Sequence, residues 1–174
     1  MKRELIFRKA EMSDVKSVTQ IIAQAQEYMR NSGIDQWQDG YPNEESIKDD
    51  VNRGESFVFV DKESGKIAAT AMISLAPEPT YSCIKDGEWK YDEFPYAVIH
   101  RIAVSNELKG QGIAGQIFDF ASNYALEHGF NYLRVDTHRD NKSMRRRIEK
   151  SGFEYSGIIY VEDSTERLAF EKKL

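Results

Sequence analysis

Three glycines, Gly110, Gly112 and Gly115, have the spacing of a loop that holds a phosphate group. They follow an apolar, β-branched run at residues 97–104 and precede a segment whose helical periodicity begins at Ile113. Helix N-termini offer unpaired backbone N–H groups and the positive end of the helix dipole, and glycine lets an anion approach those groups closely. This strand, loop and helix therefore predict a site for a phosphate-containing compound.

The same glycines satisfy G-x-G-x-x-G, the fingerprint of dinucleotide binding, and Asp136 ends the following predicted strand, where a ribose-binding acid would stand. In that fingerprint the first glycine follows its strand at once, whereas here residues 105–109 intervene. The chain beyond this point is also too short for a second mononucleotide-binding half. A P-loop is disfavoured as well, because no Gly-Lys-Ser/Thr follows the glycines.

Shifted by one residue, the sequence KGQGIA, from Lys109 to Ala114, resembles the acetyl-CoA pyrophosphate loop of the GNAT superfamily of N-acetyltransferases, whose motif is Gln/Arg-x-x-Gly-x-Gly/Ala. The preceding RIAV at residues 101–104 is similar to the strand that the family places before this loop. The segment DTHRDNKSMRRRIEKSGF, residues 136–153, is similar to its second cofactor motif, in which an Asn opens a helix that ends in Lys-x-Gly-Phe. The resemblance covers essentially the whole chain.

The resemblance implies acetyl-CoA as co-substrate, with no metal, and a set of cofactor-binding residues. That set is Ile102, Ala103, Val104, Lys109, Gly110, Gln111, Gly112, Ile113, Ala114, Gly115, Asn141 and Met144. In this family geometry the strand at residues 102–104 splays from its parallel neighbour at 131–137, and its free backbone groups pair with the pantetheine arm. Lys109 departs from the usual Gln or Arg, although lysine is also a good phosphate ligand. Ile148 stands where many members carry the Tyr that protonates the departing thiolate.

Acetyl transfer to an amine requires a base, because an alkylammonium with a pKa of about 10.4 is almost wholly charged at neutral pH. His100 is the candidate catalytic base, since histidine titrates near neutrality and alternation places it on the same side of the strand as Ile102 and Val104. A core histidine satisfied by a backbone partner is the alternative, and a water chain from a carboxylate such as Glu93 is another. Tyr160 or a water could replace the missing acid.

Residues for the amine acceptor are expected in loops. Trp37 and Tyr41 lie in a predicted loop and, with His100, form the expected acceptor site, although both aromatics could instead cover the core. More aromatic residues, Tyr81, Trp89, Tyr91 and Phe94, lie in a polar excursion at residues 77–95. The run Arg145, Arg146, Arg147 is most simply a solvated helix face, or supplies one contact to the adenosine phosphate.

Composition limits the remaining functions. With 174 residues, 40% hydrophobic, the chain is long enough for one domain, and we expect a single N-acetyltransferase domain over residues 1–174. A net charge of −5 disfavours nucleic-acid binding, and no stretch has the apolar length of a membrane span. The single cysteine, Cys83, reads as a buried or half-buried apolar residue. We expect a cytoplasmic enzyme, with a homodimer left open.

Predicted strands and helices, distinguished by the spacing of their apolar residues, position these side chains. Their predicted order is strand, two helices, three strands, helix, strand, helix and two strands, which is typical of the α+β class. Ser13 and Asn43 are the expected N-caps of the first two helices, and the last two strands are expected at residues 153–161 and 167–170, around a turn at 162–165. The resemblance implies a GNAT-like mixed, mostly antiparallel sheet of about six to seven strands flanked by about four helices, with the splayed parallel pair at the cofactor site.

The sequence therefore predicts an acyl-CoA N-acyltransferase that moves acetyl from acetyl-CoA to a primary amine by direct attack in a ternary complex. The acceptor, a small molecule, a peptide N-terminus or a lysine side chain, is not selected by any motif. The alternative from another class is a catalytically weak module of the same fold that binds or senses acyl-CoA, with Ile148 as the sign of lost catalysis.

Overall fold

The computed structural model describes residues 3–161 and 164–174, and those ranges contain seven β-strands and four α-helices. The strands are β1 (Leu5–Lys9), β2 (Ser56–Asp61), β3 (Ile67–Ser74), β4 (Ala97–Val104), β5 (Tyr132–Thr137), β6 (Glu154–Tyr160) and β7 (Glu166–Lys173). The helices are α1 (Val15–Asn31), α2 (Glu44–Asn52), α3 (Ile113–Glu127) and α4 (Lys142–Lys150). The predicted order of strands and helices is confirmed.

The strands form one sheet in the order β1-β2-β3-β4-β5-β7-β6. The pairs β1–β2, β2–β3, β5–β7 and β6–β7 are antiparallel, whereas β4 and β5 run parallel, joining Ala97 to Leu133 and Val98 to Arg134. The predicted α+β class, with a mostly antiparallel sheet and one parallel pair, is therefore confirmed.

The chain divides into two compact units, and the boundary falls inside β4. The first unit holds the described residues up to Ile73 together with Arg101–Ile117, and the second holds Ser74–His100 and Phe118–Leu174. The first unit thus contains β1 to β3, α1, α2 and the C-terminal half of β4. The second contains the N-terminal half of β4 with β5 to β7, α4 and most of α3.

In the first unit, α1 places an apolar face on the sheet. Val18, Ile21 and Ile22 of this helix belong to one buried cluster with Val58 of β2 and Ala103 of β4. The expected Ser13 cap is wrong, because Met12–Asp14 form a short 3₁₀ turn before α1. The carboxylate of Asp14 accepts the backbone N–H of Glu11 at 2.8 Å and so satisfies a donor of that turn.

The second helix begins as its sequence predicts. The side chain of Asn43 accepts the backbone N–H of Ser46 at 3.0 Å, and the Ser46 hydroxyl accepts the Asn43 N–H at 2.9 Å. This reciprocal pair is a capping box, which satisfies two backbone donors at the helix start.

In the second unit, β7 is longer than predicted, running over Glu166–Lys173 because it pairs with both β5 and β6. The C-terminal part of β7 is charged, so it lacks the apolar pattern from which a strand is predicted. Glu171 in this part is nevertheless buried, and it accepts Nε–H of the buried Arg134 at 2.9 Å. Residues 162 and 163 of the turn predicted between β6 and β7 lie outside the described residues.

The excursion at residues 77–95 is anchored to the second unit through aromatic side chains. The guanidinium carbon of Arg134 lies 4.0 Å from the ring centre of Trp89 and 3.8 Å from that of Tyr96. The indole N–H of Trp89 donates to the backbone oxygen of Tyr81 at 2.8 Å. These contacts, together with an antiparallel bridge between Lys85 and Ile158 of β6, fix the path of a segment whose helical structure is one short 3₁₀ turn, Pro79–Ser82.

Candidate functional site

The glycine-rich loop lies in the first unit, between the end of β4 and the start of α3. Gly110 and Gly112 have φ values of +79° and +77°, and a Cβ at either position would meet no atom within 4 Å. Glycine is therefore required here by backbone conformation and not by crowding. The space beside both glycines is open to a ligand.

The backbone N–H groups of this loop point to an anion site. Among the described residues, no acceptor is found for the N–H groups of residues 109–114, whereas Gly115 N–H donates to the Gly112 oxygen at 3.1 Å. Ile113 and Ala114 open α3, so their N–H groups also carry the positive end of the helix dipole. Successive free amides next to glycines form the type of cradle that binds phosphate.

Side chains frame the loop with positive charge. Lys109 Nζ lies 4.7 Å from the ring centre of Tyr28, and partial burial lowers the pKa of Lys109 from its ordinary value. Arg3 Nε donates to Oε1 of Gln111 at 2.7 Å and fixes this loop side chain. Lys109 directly precedes the loop glycines, and lysine is a good phosphate ligand.

The second half of β4 carries the residues expected to face the cofactor arm. Ile102 and Ala103 are buried and Val104 is half-buried. Arg101 has a φ of +54°, which places a non-glycine residue in the left-handed region within a strand. Because such a residue interrupts the alternation of side chains, the sequence argument that set His100 on the same side as Ile102 and Val104 does not hold across Arg101.

The two loop aromatics of the expected acceptor site, also in the first unit, differ in environment. Trp37 is half-buried and packs on the apolar cluster that includes Ile22 and Ile47, as expected for a residue that covers the core. Tyr41 is 49% exposed, and its hydroxyl accepts a hydrogen bond from Arg101. Arg101 also binds the buried carboxylate of Asp50, which ties the Tyr41 loop to β4. Tyr41 is therefore the more accessible of the two.

His100, in the second unit, lies between two carboxylates. Its Nε2 is 3.1 Å from Oε2 of Glu78, and its Nδ1 is 3.7 Å from Oδ2 of Asp136. The imidazole is 25% exposed, so it contacts solvent. His100 is thus not a core histidine held only by backbone groups.

Both carboxylates are held by neighbouring donors. Oε1 of Glu78 accepts the Thr80 hydroxyl at 3.0 Å and the Thr80 N–H at 3.2 Å. The pKa of Glu78 is lowered, chiefly by the hydrogen bond from His100, against a smaller opposing effect of burial. The Tyr81 hydroxyl donates to Oδ2 of Asp136 at 2.7 Å, and burial raises the pKa of Tyr81 well above its ordinary value. At neutral pH, Glu78 in this cluster is therefore ionised and Tyr81 is neutral.

Sequence reasoning missed Glu78, noticed Tyr81 only as one of the aromatic residues of the excursion, and noticed Asp136 only as a ribose-binding acid. Glu93, the carboxylate suggested as a distant base, is exposed, and Glu78 occupies the position beside His100 instead. The parallel register of the structure explains why Asp136 is near His100, since Val98 pairs with Arg134 and the two residues follow two positions later on β4 and β5.

The second cofactor motif forms α4 in the second unit. Asn141 is the N-cap of this helix, and its side chain accepts the Met144 N–H at 3.2 Å. Met144 is half-buried, whereas Ile148 is fully buried. Ile148 carries no ionisable group, so the position that is Tyr in many family members supplies no proton here.

Several aromatic residues of the excursion have packing roles. Tyr81 and Trp89 are buried, and Tyr91 and Phe94 stack on Tyr132 with ring centres 4.6 and 5.3 Å apart. Cys83 is exposed, so the expectation of a buried or half-buried cysteine is wrong. It lies just beyond the Pro79–Ser82 turn, where the chain runs along the surface.

Two further properties concern the described ranges only. In residues 3–161 and 164–174, no group of three or more His, Cys, Asp or Glu side chains is arranged to hold a metal ion. Within the same ranges, none of the helices has both the length and the apolar character needed to cross a membrane.

Comparison with known proteins gives a consistent family. The sequence model of the acetyltransferase (GNAT) family matches residues 19–153. The uncharacterized N-acetyltransferase YesJ of Bacillus subtilis (strain 168) is 27% identical over 169 residues, which are 92% of this chain and 86% of that protein.

Solved structures show the same architecture. A GNAT-family acetyltransferase from Streptococcus agalactiae 2603 is 31% identical, with a TM-score of 0.88, and the match covers 98% of this chain and 95% of that one. A phosphinothricin acetyltransferase from Sinorhizobium meliloti, solved in complex with acetyl-CoA, is 18% identical with a TM-score of 0.67. That match covers 100% of this chain and 89% of the other, and at this identity it supports the fold alone.

Proposed function

Because the chain belongs to the acetyltransferase (GNAT) family, we propose that it transfers the acetyl group of acetyl-CoA to a primary amine by direct attack in a ternary complex. Family membership makes the chain an acyl-CoA N-acyltransferase. The acetyl donor, the amine class of the acceptor and the direct attack are the parts that we propose. The observation that carries it is the run of backbone N–H groups at residues 109–114, for which the part of the chain that the structure describes offers no acceptor. This run fits the pyrophosphate of a coenzyme A thioester.

The residues of the loop would hold acetyl-CoA through its phosphates. The free amides of Gly110, Gln111, Gly112, Ile113 and Ala114 are suited to the pyrophosphate, and Lys109 adds a positive charge beside them. Ile102, Ala103 and Val104 are assigned to the pantetheine arm, with Gly115, Asn141 and Met144 completing the proposed set. When bound, acetyl-CoA supplies an activated acetyl thioester, so the chain needs no metal for this chemistry.

His100 is the proposed catalytic base. At neutral pH roughly one alkylamine in two thousand is unprotonated, which adds about 4–5 kcal/mol to the barrier if no base assists. An imidazole with solvent access and a carboxylate beside each nitrogen can take that proton. Direct attack needs no protein nucleophile, in keeping with the position of Cys83 outside the matched motifs.

A general acid for the thiolate is not required. A thiol with a pKa of about 8.5 leaves as thiolate at a cost of roughly 2 kcal/mol at pH 7, so an acid accelerates the step without being essential. The aliphatic Ile148 is therefore compatible with turnover. The alternative function is a module that binds acyl-CoA with little catalysis, in which Ile148 is the sign that catalysis has been lost.

The acceptor is proposed to be a small molecule, a peptide N-terminus or a lysine side chain. Tyr41, exposed in the α1–α2 connection and bound by Arg101, is assigned to the acceptor side with Trp37 and His100. We propose one catalytic domain that spans the chain and acts in the cytoplasm, without nucleic acid or membrane as partner. A homodimer is compatible with this proposal.

Release of free thiol from acetyl-CoA across a panel of amines tests the function. The panel would include polyamines, aminoglycosides, amino acids, and peptides with a free N-terminus or an internal lysine. We expect thiol release that depends on one class of amine and exceeds the rate without amine. If acetyl-CoA protects the protein against thermal unfolding while no amine elicits thiol release, the acyl-CoA-binding module replaces the enzyme.

A further inference from the structure

Four side chains of the second unit lie in one cluster with His100. Glu78 and Tyr81 come from the excursion, Asp136 comes from β5, and Tyr96, whose hydroxyl accepts the Glu78 N–H at 3.2 Å, precedes β4. Of these groups, only Glu78 and Asp136 are carboxylates, and each faces a different nitrogen of the imidazole. The two acids are 58 residues apart in the sequence, and it is the fold that brings them to one histidine.

The position of the single proton on neutral His100 follows from these contacts. Glu78 is ionised at neutral pH, because its pKa is lowered by the hydrogen bond with His100, and an ionised carboxylate can only accept. The 3.1 Å contact therefore has Nε2 donating to Oε2 of Glu78. In this form the ring lone pair is on Nδ1, the nitrogen that lies 3.7 Å from Oδ2 of Asp136.

We propose that Glu78 selects the Nε2–H form of His100 and that Asp136 stabilises the imidazolium, so that both are positioning residues and Nδ1 is the proton acceptor. This inference rests on the proposed function, in which His100 is the base. In the step, the N–H bond of the acceptor ammonium breaks, its electron pair stays on the amine nitrogen, and the proton forms a bond to Nδ1. The positive charge then lies between two carboxylates and is lost when the imidazolium releases its proton to water.

Asp136 is itself prepared for this role by Tyr81. The hydroxyl of Tyr81 occupies Oδ2 of Asp136 at 2.7 Å and comes from a ring that is buried beside Trp89, at 5.2 Å between centres. A fixed carboxylate 3.7 Å from Nδ1 is too far for a strong hydrogen bond to neutral histidine but close enough to stabilise the charged ring. The arrangement thus favours the product of proton transfer over the starting state.

Nuclear magnetic resonance of the imidazoles tests the positioning without any substrate. The chain has three histidines, and the His100 signals are identified by their loss in the His100→Gln variant. At high pH the nitrogen shifts should report Nε2–H for His100. Asp136→Asn and Glu78→Gln should each lower its titration midpoint by about one pH unit, because a neighbouring negative charge is removed.

Exposed acids on α3 give matched controls for both substitutions. Asp119→Asn and Glu127→Gln remove the same charges from exposed positions and should leave the His100 midpoint unchanged. Each amide keeps an oxygen that can accept the original hydrogen bond, and thermal unfolding checks that the variants fold. An Nδ1–H form, or a midpoint that neither variant moves, would overturn the inference.

The pH dependence of kcat/KM separates this inference from the proposed function. If both hold, the acid limb moves to lower pH by the same amount as the imidazole midpoint, and the rate above the limb falls roughly tenfold because a weaker base remains. If the titration midpoint of His100 moves but the acid limb of kcat/KM does not, Glu78 and Asp136 still position the imidazole, but His100 is not the catalytic base. An unmoved midpoint with normal acetyl transfer would reject the positioning role and leave the enzyme function intact.

Discussion

The imidazole Nε2 of His100 lies 3.1 Å from Oε2 of Glu78, which precedes it by 22 residues and belongs to a segment without regular structure apart from one short turn. The excursion between β3 and β4 therefore contributes a side chain to the neighbourhood of the proposed base. Its aromatic anchors, Trp89 and Tyr96 around Arg134, hold this segment in place. The same segment thus carries both the anchoring contacts of the second unit and the carboxylate beside the proposed base.

Replacement of His100 tests the base. We expect His100→Gln to lower kcat by roughly 10²- to 10⁴-fold, the usual contribution of a general base, with little change in the Kd for acetyl-CoA. Steady-state kinetics from pH 5 to pH 9 and calorimetric binding provide the two measurements. The control is His128→Gln, because His128 is exposed at the end of α3 and contacts only its own helix through Tyr124 in the described structure. Equal rates for the two variants would contradict the assignment.

Replacement of Gly112 tests the phosphate loop. Gly112→Ala places a Cβ in a left-handed conformation, which costs about 1–2 kcal/mol of stability, and narrows the approach to the free amides. We expect at least a tenfold rise in the KM for acetyl-CoA. Gly65→Ala, in the β2–β3 turn with a φ of +70° and equally open space, should show the same loss of stability and an unchanged KM. A KM that changes equally in both variants would reject a specific role of the loop.

Replacement of Arg134 tests whether this residue holds the excursion and β7 in place. Arg134→Met leaves the buried carboxylate of Glu171 without its charged partner, and we expect a loss of about 3–5 kcal/mol in the free energy of unfolding. In the double variant Arg134→Met with Glu171→Gln the uncompensated charge is gone, so part of the loss should be recovered. Urea unfolding measures both. A single variant as stable as the parent would show that the pair does not hold this region.

Asp14 gives a prediction for the dependence of stability on pH. The hydrogen bond from Arg8 lowers the pKa of Asp14 in the folded protein, against a smaller opposing effect of burial. A lowered folded pKa contributes stability above the unfolded value of about 3.9, and this contribution is lost as the pH falls through the folded pKa. Asp14→Asn should therefore cost about 1–2 kcal/mol at pH 6 and less at pH 3. Urea unfolding at both pH values checks this, with Asp119→Asn as control. A cost that does not shrink at pH 3 would contradict this account.

Local sequence signals predicted the elements well. The Asn43 cap, the left-handed glycines at 110 and 112 and the helix start at Ile113 all follow from residue types with strong backbone preferences. The start of α1 was misplaced because Met12–Asp14 form a 3₁₀ turn, in which the carboxylate of Asp14 also binds Arg8 of β1. That bond joins two elements, so the helix pattern alone does not contain it.

The residues around His100 were less predictable for a related reason. Glu78 and Tyr81 lie in a polar segment without periodicity, and they contact His100 of β4 and Asp136 of β5, which are 22 and 55 residues away in the sequence. The extension of β7 through Glu171 was missed because the charge of Glu171 is compensated by Arg134, another residue that a sequence pattern would place outside. Buried charge pairs and strand register arise from tertiary structure, which a single sequence does not specify.

The most direct measurement is the fate of an isotopically labelled acetyl group, followed by mass spectrometry of the amine, the protein and free acetate during turnover. We expect one labelled acetyl-amine for each coenzyme A released, with the protein unmodified after incubation with acetyl-CoA alone. A stable labelled acetyl group on the protein would contradict direct transfer. Label that appears only as acetate, with every amine class unmodified, would contradict acetyl transfer to an amine.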